Sequence, residues 1–214
     1  MSDDFWFILK SQPGMGVLIV DSEGVVLFCN PQARQIYYGG GLNPVGRSIE
    51  EIEGREFASE RMSVIRQVID QKKPMLISHI RGGRYTEAMI WPMEPTDSAR
   101  SRILAITRQP AVHEDHDHQY EEFRSAFVDL GPLDVLTPRE LEVLALIGHG
   151  VPLKSVASQL GIAQRTVERY RTDIARKLHV NSIAEIAGIV QLAGLEVGDA
   201  LSPRLHRWKD AGRS

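Results

Sequence analysis

The stretch Gln164-Arg165-Thr166-Val167-Glu168-Arg169-Tyr170-Arg171-Thr172-Asp173-Ile174-Ala175-Arg176-Lys177-Leu178 has apolar residues at Val167, Ile174 and Leu178. Tyr170 or Arg171 fills the intermediate turn, so the spacing predicts a helix with one stripe against a core. The opposite arc holds Arg165, Glu168, Arg169, Thr172 and Arg176. Five basic side chains stand against two acidic ones on this helix, although the 214-residue chain has a net charge of -3. Positive charge gathered against the overall balance points to a polyanionic partner.

The flanking sequence is helical from 136 onward. Thr137 precedes Pro138 and stands three residues before Glu140, so Thr137 caps a helix whose first position is the favoured proline. Leu141, Val143, Leu144, Leu146 and Ile147 form its apolar side, and the glycines at 148 and 150 end it. A second helix over 153–160 stops at Gly161, and the turn Gly161-Ile162-Ala163 leads into the basic helix. A fourth, over 182–193, carries Ile183, Ile186, Ala187, Ile189, Val190 and Leu192. A short helix, a tight glycine turn and a longer helix with basic outward residues make a helix-turn-helix. In that arrangement the second helix enters the major groove of DNA.

Leu136-Thr137-Pro138-Arg139-Glu140, Val143-Leu144, Gly150, Lys154, Ala157, Leu160-Gly161, Thr166-Val167, Ile174, Lys177-Leu178, Val180 and Glu185 together resemble the LuxR-type (GerE-like) helix-turn-helix. The resemblance spans about 60 residues. It implies phosphate contacts from Lys154 and Thr166, together with Arg171 or Lys177. It implies that Glu168, Arg169 and Thr172 face base edges, with Arg165 nearby at the helix start. It further implies a homodimer paired through the fourth helix, with Ile186, Ile189 and Val190 as its face. Ser155, Ala163, Tyr170 and Ile183 depart from the usual glutamate, serine, histidine and arginine. Loss of a capping hydroxyl at Ala163 costs about 1 kcal/mol of helix stability.

Charge divides the chain in two. Residues 1–135 hold 14 Lys/Arg and 20 Asp/Glu, a net of -6, whereas 136–214 hold 11 and 8, a net of +3. No run approaches the roughly 18 apolar residues of a membrane span. Phe5–Leu9 is apolar but short, and it follows Asp3-Asp4 where a secretory signal carries positive charge. The single cysteine, Cys29, excludes an intramolecular disulfide and fits a reducing interior, so a cytoplasmic protein is expected.

Residues 12–110 read as an α+β domain. The runs 16–20 and 25–29 are strands joined through Gly24, and Pro31 opens a helix after Asn30. A glycine-rich connection, 39–46, precedes a helix over 57–71, and strands follow at 74–80, 85–93 and 102–107. Gly16, Ile19-Val20-Asp21, Gly24, Val26, Asn30 and Ala33, with Val45-Gly46-Arg47-Ser48-Ile49 beyond, resemble the opening of a PAS domain. That resemblance implies a sheet and helices enclosing a cavity that holds a small molecule or haem, or is filled by side chains. Residues 111–135 read as a linker with a short helix over 120–130, and 136–196 as the DNA-binding domain. The expected fold class is α+β, a PAS-like antiparallel sheet with helices followed by an all-α four-helix domain.

No cofactor is assignable. Haem needs an axial ligand, usually histidine, and residues 57–71 contain none, while His79 falls in a strand. A photoactive flavin domain needs a reactive cysteine in an Asn-Cys-Arg-type motif, and Cys29 lies before Asn30 in the wrong element. The run His113-Glu114-Asp115-His116-Asp117-His118 offers metal-ligand chemistry without preorganised spacing and reads as solvated linker. No nucleophile–base pair or acid pair stands at catalytic spacing, so no enzyme is expected. Two readings stay open. One is a DNA-binding regulator with a PAS-like domain receiving a small-molecule or protein signal; the other is a scaffold acting through protein–protein contacts.

Overall fold

Two β-branched runs meet at Gly24. They form strands β1 (Gly16–Asp21) and β2 (Val26–Cys29), paired antiparallel. The turn needs a positive φ, which Gly24 supplies at 85°. The Asp21 carboxylate fixes it by accepting from the amides of Glu23 (3.0 Å) and Val25 (2.9 Å). The computed structural model describes residues 11–94, 100–110 and 120–205.

Helix α1 (Pro31–Tyr38) begins on Asn30, whose Oδ1 accepts from Ala33 N at 2.7 Å and from Val17 N at 3.0 Å. One side chain therefore caps the helix and ties it to β1. Helix α2 (Ile49–Glu53) opens with a capping box between Ser48 and Glu51, and α3 (Arg55–Gln71) follows directly. Strands β3 (Met75–Arg81), β4 (Arg84–Met93) and β5 (Arg102–Arg108) complete the element order implied by the PAS resemblance.

The sheet runs β2-β1-β5-β4-β3-β6, with β6 spanning Glu121–Val128. Every pairing is antiparallel except β3–β6. The first core lies between the sheet and α3, built on Val20, Ile65, Val68, Ile77, Ile90 and Ile103.

Strand β6 corrects the expectation of a helix over 120–130. Phe123 and Phe127 stand four residues apart, a spacing that suits a helix, but with Ser125 they also alternate along a strand. Pairing with β3 decides between the two, and that partner is remote in sequence. Phe127 then packs edge-to-face on Phe57, ring centroids 5.7 Å apart. Part of the segment expected to link the two units is thus a strand of the sheet. The histidine-rich run 113–118 lies outside the described residues.

After a 3-10 turn (Gly131–Val135) come α4 (Pro138–Gly148), α5 (Leu153–Leu160), α6 (Gln164–Leu178) and α7 (Ile183–Ala193), then a second 3-10 turn (Val197–Leu201). The fold is α+β, a mixed sheet with helices followed by a helical region. The helical core, with Leu141, Leu144, Val167, Ile174 and Leu195, continues without a break into Ile80 and Val128 of the sheet. Polar contacts reinforce this junction. Arg124 of β6 donates to Gly194 O at 3.0 Å and pairs with Asp199 at 2.7 Å.

Candidate nucleic-acid interface

Thr137 caps α4 in a reciprocal box with Glu140, as the sequence implies. Glu140 does more than cap. Its Oε2 also accepts from Lys177 Nζ at 2.7 Å, so the start of α4 holds the end of α6. Burial works against the Glu140 carboxylate, but the hydrogen bonds from Lys177 and Thr137 outweigh it and hold the group below its ordinary range. Arg139 braces the next element, donating to Leu160 O at 2.6 Å and to Glu142 at 2.7 Å. Gly161 then turns the chain at φ 64°, and its N–H satisfies carbonyls of α5.

These braces aim α6. Val167 and Ile174 are fully buried, and Tyr170 and Leu178 pack against the same core. Arg165, Glu168, Arg169, Thr172 and Arg176 are exposed, while Thr166, Arg171 and Lys177 are half-buried at the edge of that face. Lys154 is exposed on α5. Helix α6 starts on Ala163, which is extended (φ -68°, ψ 144°) and offers no side-chain cap.

Ion pairing sorts the cations into two groups. Arg139, Arg176 and Lys177 are committed to Glu142, Asp173 and Glu140. Lys154, Arg165, Arg169 and Arg171 have no carboxylate partner among the described residues. The Arg169 guanidinium instead lies over the Tyr170 ring, 5.8 Å from its centroid. Glu168 accepts from Gln164 at 3.0 Å, and the Thr172 hydroxyl donates to Glu168 O at 3.0 Å. Four unneutralised cations on adjacent faces of α5 and α6 make a surface suited to phosphates and base edges. Lys177 is in part a structural residue, which its place in the motif did not reveal.

The fourth helix differs from expectation. Ile186 and Val190 are 2% and 1% exposed, buried against the chain's own core, and Ile189 packs beside them. A Cβ placed on Gly148 would meet Val190 Cγ2 at 2.3 Å, so α4 and α7 cross at a distance only glycine permits. An apolar stripe on a helix says that it will be covered, not by what. The outward apolar residues are Ile183 (53% exposed) and Leu192 (41% exposed), with Ala184, Ala187 and Gly188 between them.

The residues weighed for cofactors are differently placed. Cys29 ends β2, donates to Asn30 O at 3.6 Å, and has its thiol pushed up to about 11 by burial. His79 is buried in β3 and pushed well below its usual value, chiefly by desolvation, so it is neutral. Among the described residues no cluster of three His, Cys, Asp or Glu could hold a metal ion, and no helix is long and apolar enough to cross a membrane.

Residues 134–190 match the model of the bacterial regulatory proteins, luxR family. The helical region is a LuxR-family domain. The transcriptional regulatory protein FixJ of Azorhizobium caulinodans is 37% identical to this chain over 68 residues, 32% of each chain. Nodulation protein W of Bradyrhizobium diazoefficiens is 30% identical over 123 residues, 57% of this chain and 50% of its own. The chain thus spans no more than half the length of these relatives. Among solved structures, a Vibrio cholera VqmA–ligand–DNA complex covers 94% of this chain and 93% of its own at 17% identity, TM-score 0.49. The PAS domain of the histidine kinase ThkA covers 44% and 98% at 19% identity, TM-score 0.36. Within the LuxR-type domain, Arg165, Glu168, Arg169 and Thr172 share the exposed face of α6, Thr166 and Arg171 flank it, and Lys154 is exposed on α5.

Proposed function

We propose that this chain is a cytoplasmic, homodimeric, sequence-specific DNA-binding transcriptional regulator. In this reading residues 12–110, joined by strand β6, receive a small-molecule or protein signal, the rest of 111–135 connects, and 136–196 bind DNA. The observation that carries it is the set of cations left without a carboxylate partner on the LuxR-type helices. Cations placed beside one another without counter-charges repel, and a phosphate backbone relieves that repulsion. No catalytic role is assigned to any residue.

Lys154, Thr166 and Arg171 then contact phosphates. Lys177 holds Glu140 and contributes less. Glu168, Arg169 and Thr172 read base edges, with Arg165 entering at the helix start. Two copies pair through the outward face of α7, centred on Ala184, Ala187 and Gly188, which presents two α6 helices to half-sites about 34 Å apart.

Selection of bound sequences from a random DNA pool, with the full chain, tests this. Recovery of a two-fold symmetric site with that spacing, bound in a salt-dependent way, supports it. No retention of any DNA at low salt overturns it in favour of a scaffold that works through protein contacts.

A further inference from the structure

The sheet unit holds a partly open cavity of about 70 Å³ between β1, β4, β5 and α3, with α1 and α2 at its side. Its wall is largely aliphatic, with Leu18, Ile65, Ile90 and Ile103 among the lining residues. Two arginines, Arg61 and Arg81, reach into it. Their situations differ in a way that the fold does not require.

Arg81 is neutralised. It forms an ion pair with Glu53 and donates to Tyr37 O at 3.3 Å. Burial works against its charge, but Glu53 outweighs this and holds the guanidinium above its ordinary value. Arg61 is 9% exposed and has no hydrogen-bond acceptor among the described residues. Its guanidinium lies over the Phe57 ring, 4.9 Å from the centroid. Both carboxylates near it are occupied. Glu53 holds Arg81 through both oxygens. Glu60 accepts from Ser125 Oγ at 2.6 Å and from Ala126 N at 2.8 Å.

The other titratable groups lining this cavity or lying near it carry no compensating charge. Tyr37 and Tyr38 are held protonated, their hydroxyls pushed up by burial, and Cys29 is a thiol. His79 is neutral. A guanidinium stays charged when buried, so Arg61 brings one positive charge and five donors to the cavity, none of them bonded to an acceptor among the described residues. Tyr38, whose hydroxyl makes no hydrogen bond among the described residues, is also in the lining.

We propose that this cavity is a binding site for a short-chain carboxylate, with Arg61 as its anchor and the aliphatic wall holding its tail. A planar carboxylate matches the fork of a guanidinium, and low dielectric makes that pairing count. Size narrows the class. A cavity of about 150 Å³ accepts benzene, so roughly half that volume accepts an acetate-sized anion. This deepens the sensory role proposed for residues 12–110, because it names the chemistry such a signal carries.

The test uses the full chain and acetate, with acetamide as the neutral isostere and nitrate as a planar oxyanion without a methyl. Titration calorimetry and thermal denaturation are read on the same protein. Acetate raises the melting temperature saturably, acetamide does not, and nitrate binds more weakly. Arg61→Met weakens acetate binding by about tenfold to a hundredfold, the scale of losing a charged hydrogen-bond partner. Acetamide acting like acetate on the unaltered chain overturns the proposal, and so does Arg61→Met binding acetate as well as the unaltered chain. Nitrate binding more tightly than acetate overturns the carboxylate assignment. The comparison of acetate with acetamide needs no variant, so a poorly folding Arg61→Met leaves the proposal open to refutation. DNA retention, measured separately, distinguishes failure of this site from failure of the regulator reading.

Discussion

Arg81 and Arg169 are the same side chain in opposite surroundings. Arg81 lies in the sheet unit, 3% exposed at the side chain, and is held by a carboxylate from a helix 28 residues earlier. Arg169 lies on the open face of α6, stacked on its neighbour Tyr170 and facing no carboxylate among the described residues. Burial forces a charge to find its partner inside the chain. Exposure lets the partner be another molecule. Of the two buried arginines of the front unit, Arg81 is balanced inside the chain and Arg61 is not, while the LuxR-type domain leaves Lys154, Arg165, Arg169 and Arg171 without a carboxylate at its surface.

The contrast breaks most visibly at Glu53. Glu53→Gln leaves Arg81 charged, buried and without its carboxylate, and about 3–5 kcal/mol of stability is expected to go. Urea denaturation at neutral pH measures it. A loss under about 1 kcal/mol would put Arg81 in the class of solvated surface pairs and erase the distinction.

Arg169→Ala is the matching change on the other side. Stability should stay within about 0.5 kcal/mol, because the side chain is exposed and unpaired. Binding to the selected DNA site should weaken by about 1–3 kcal/mol, the scale of one good base contact. Equal weakening on unrelated DNA would make Arg169 a phosphate contact instead.

The same division governs what could be read from sequence. The helices of the LuxR-type domain were legible because their signals are local: Thr137 with Glu140, Gly161, and Ser182 with Glu185 sit within four residues of what they cap. The outward cations of α6 followed from helical spacing. Strand β6 was not legible, because its partner β3 lies some 45 residues away and Phe123 and Phe127 suit either period. Nor was the fate of Ile186 and Val190, since only tertiary packing decides whether a stripe meets its own core or a second copy. The Arg81–Glu53 pair and the cavity around Arg61 are non-local for the same reason.

Glu140 stands between the two regimes, a buried carboxylate that holds a residue of α6. Glu140→Gln keeps a side chain able to serve the capping box but removes the charge paired with Lys177. A loss of about 1 kcal/mol is expected at pH 7. The sign with pH follows from the depressed carboxylate. Its contribution is complete above the unfolded value, about 4.3, and is lost as pH falls through the lower folded value. The stability gap between the unaltered chain and the variant should hold down to about pH 5 and close below about pH 4. A gap unchanged at pH 3 would mean that the Lys177 contact adds nothing.

Ala163→Ser is the smallest expected effect and the cleanest measure of how local the LuxR-type domain is. Ala163 already has the extended backbone of an N-cap, so a serine needs no rearrangement to present its hydroxyl. The N–H of Thr166 already donates to Ala163 O at 2.9 Å, which leaves the new hydroxyl less to satisfy. The gain should therefore sit near the lower end of the capping range, about 0.5–1 kcal/mol, and appear as a melting temperature a few degrees higher. Because the residue lies at the exposed start of α6, nothing in the core has to move. A stabilised helix whose DNA preference is unchanged would show that the exposed face of α6 is set by side-chain placement alone. A shifted preference at constant stability would place the 163 side chain itself against DNA.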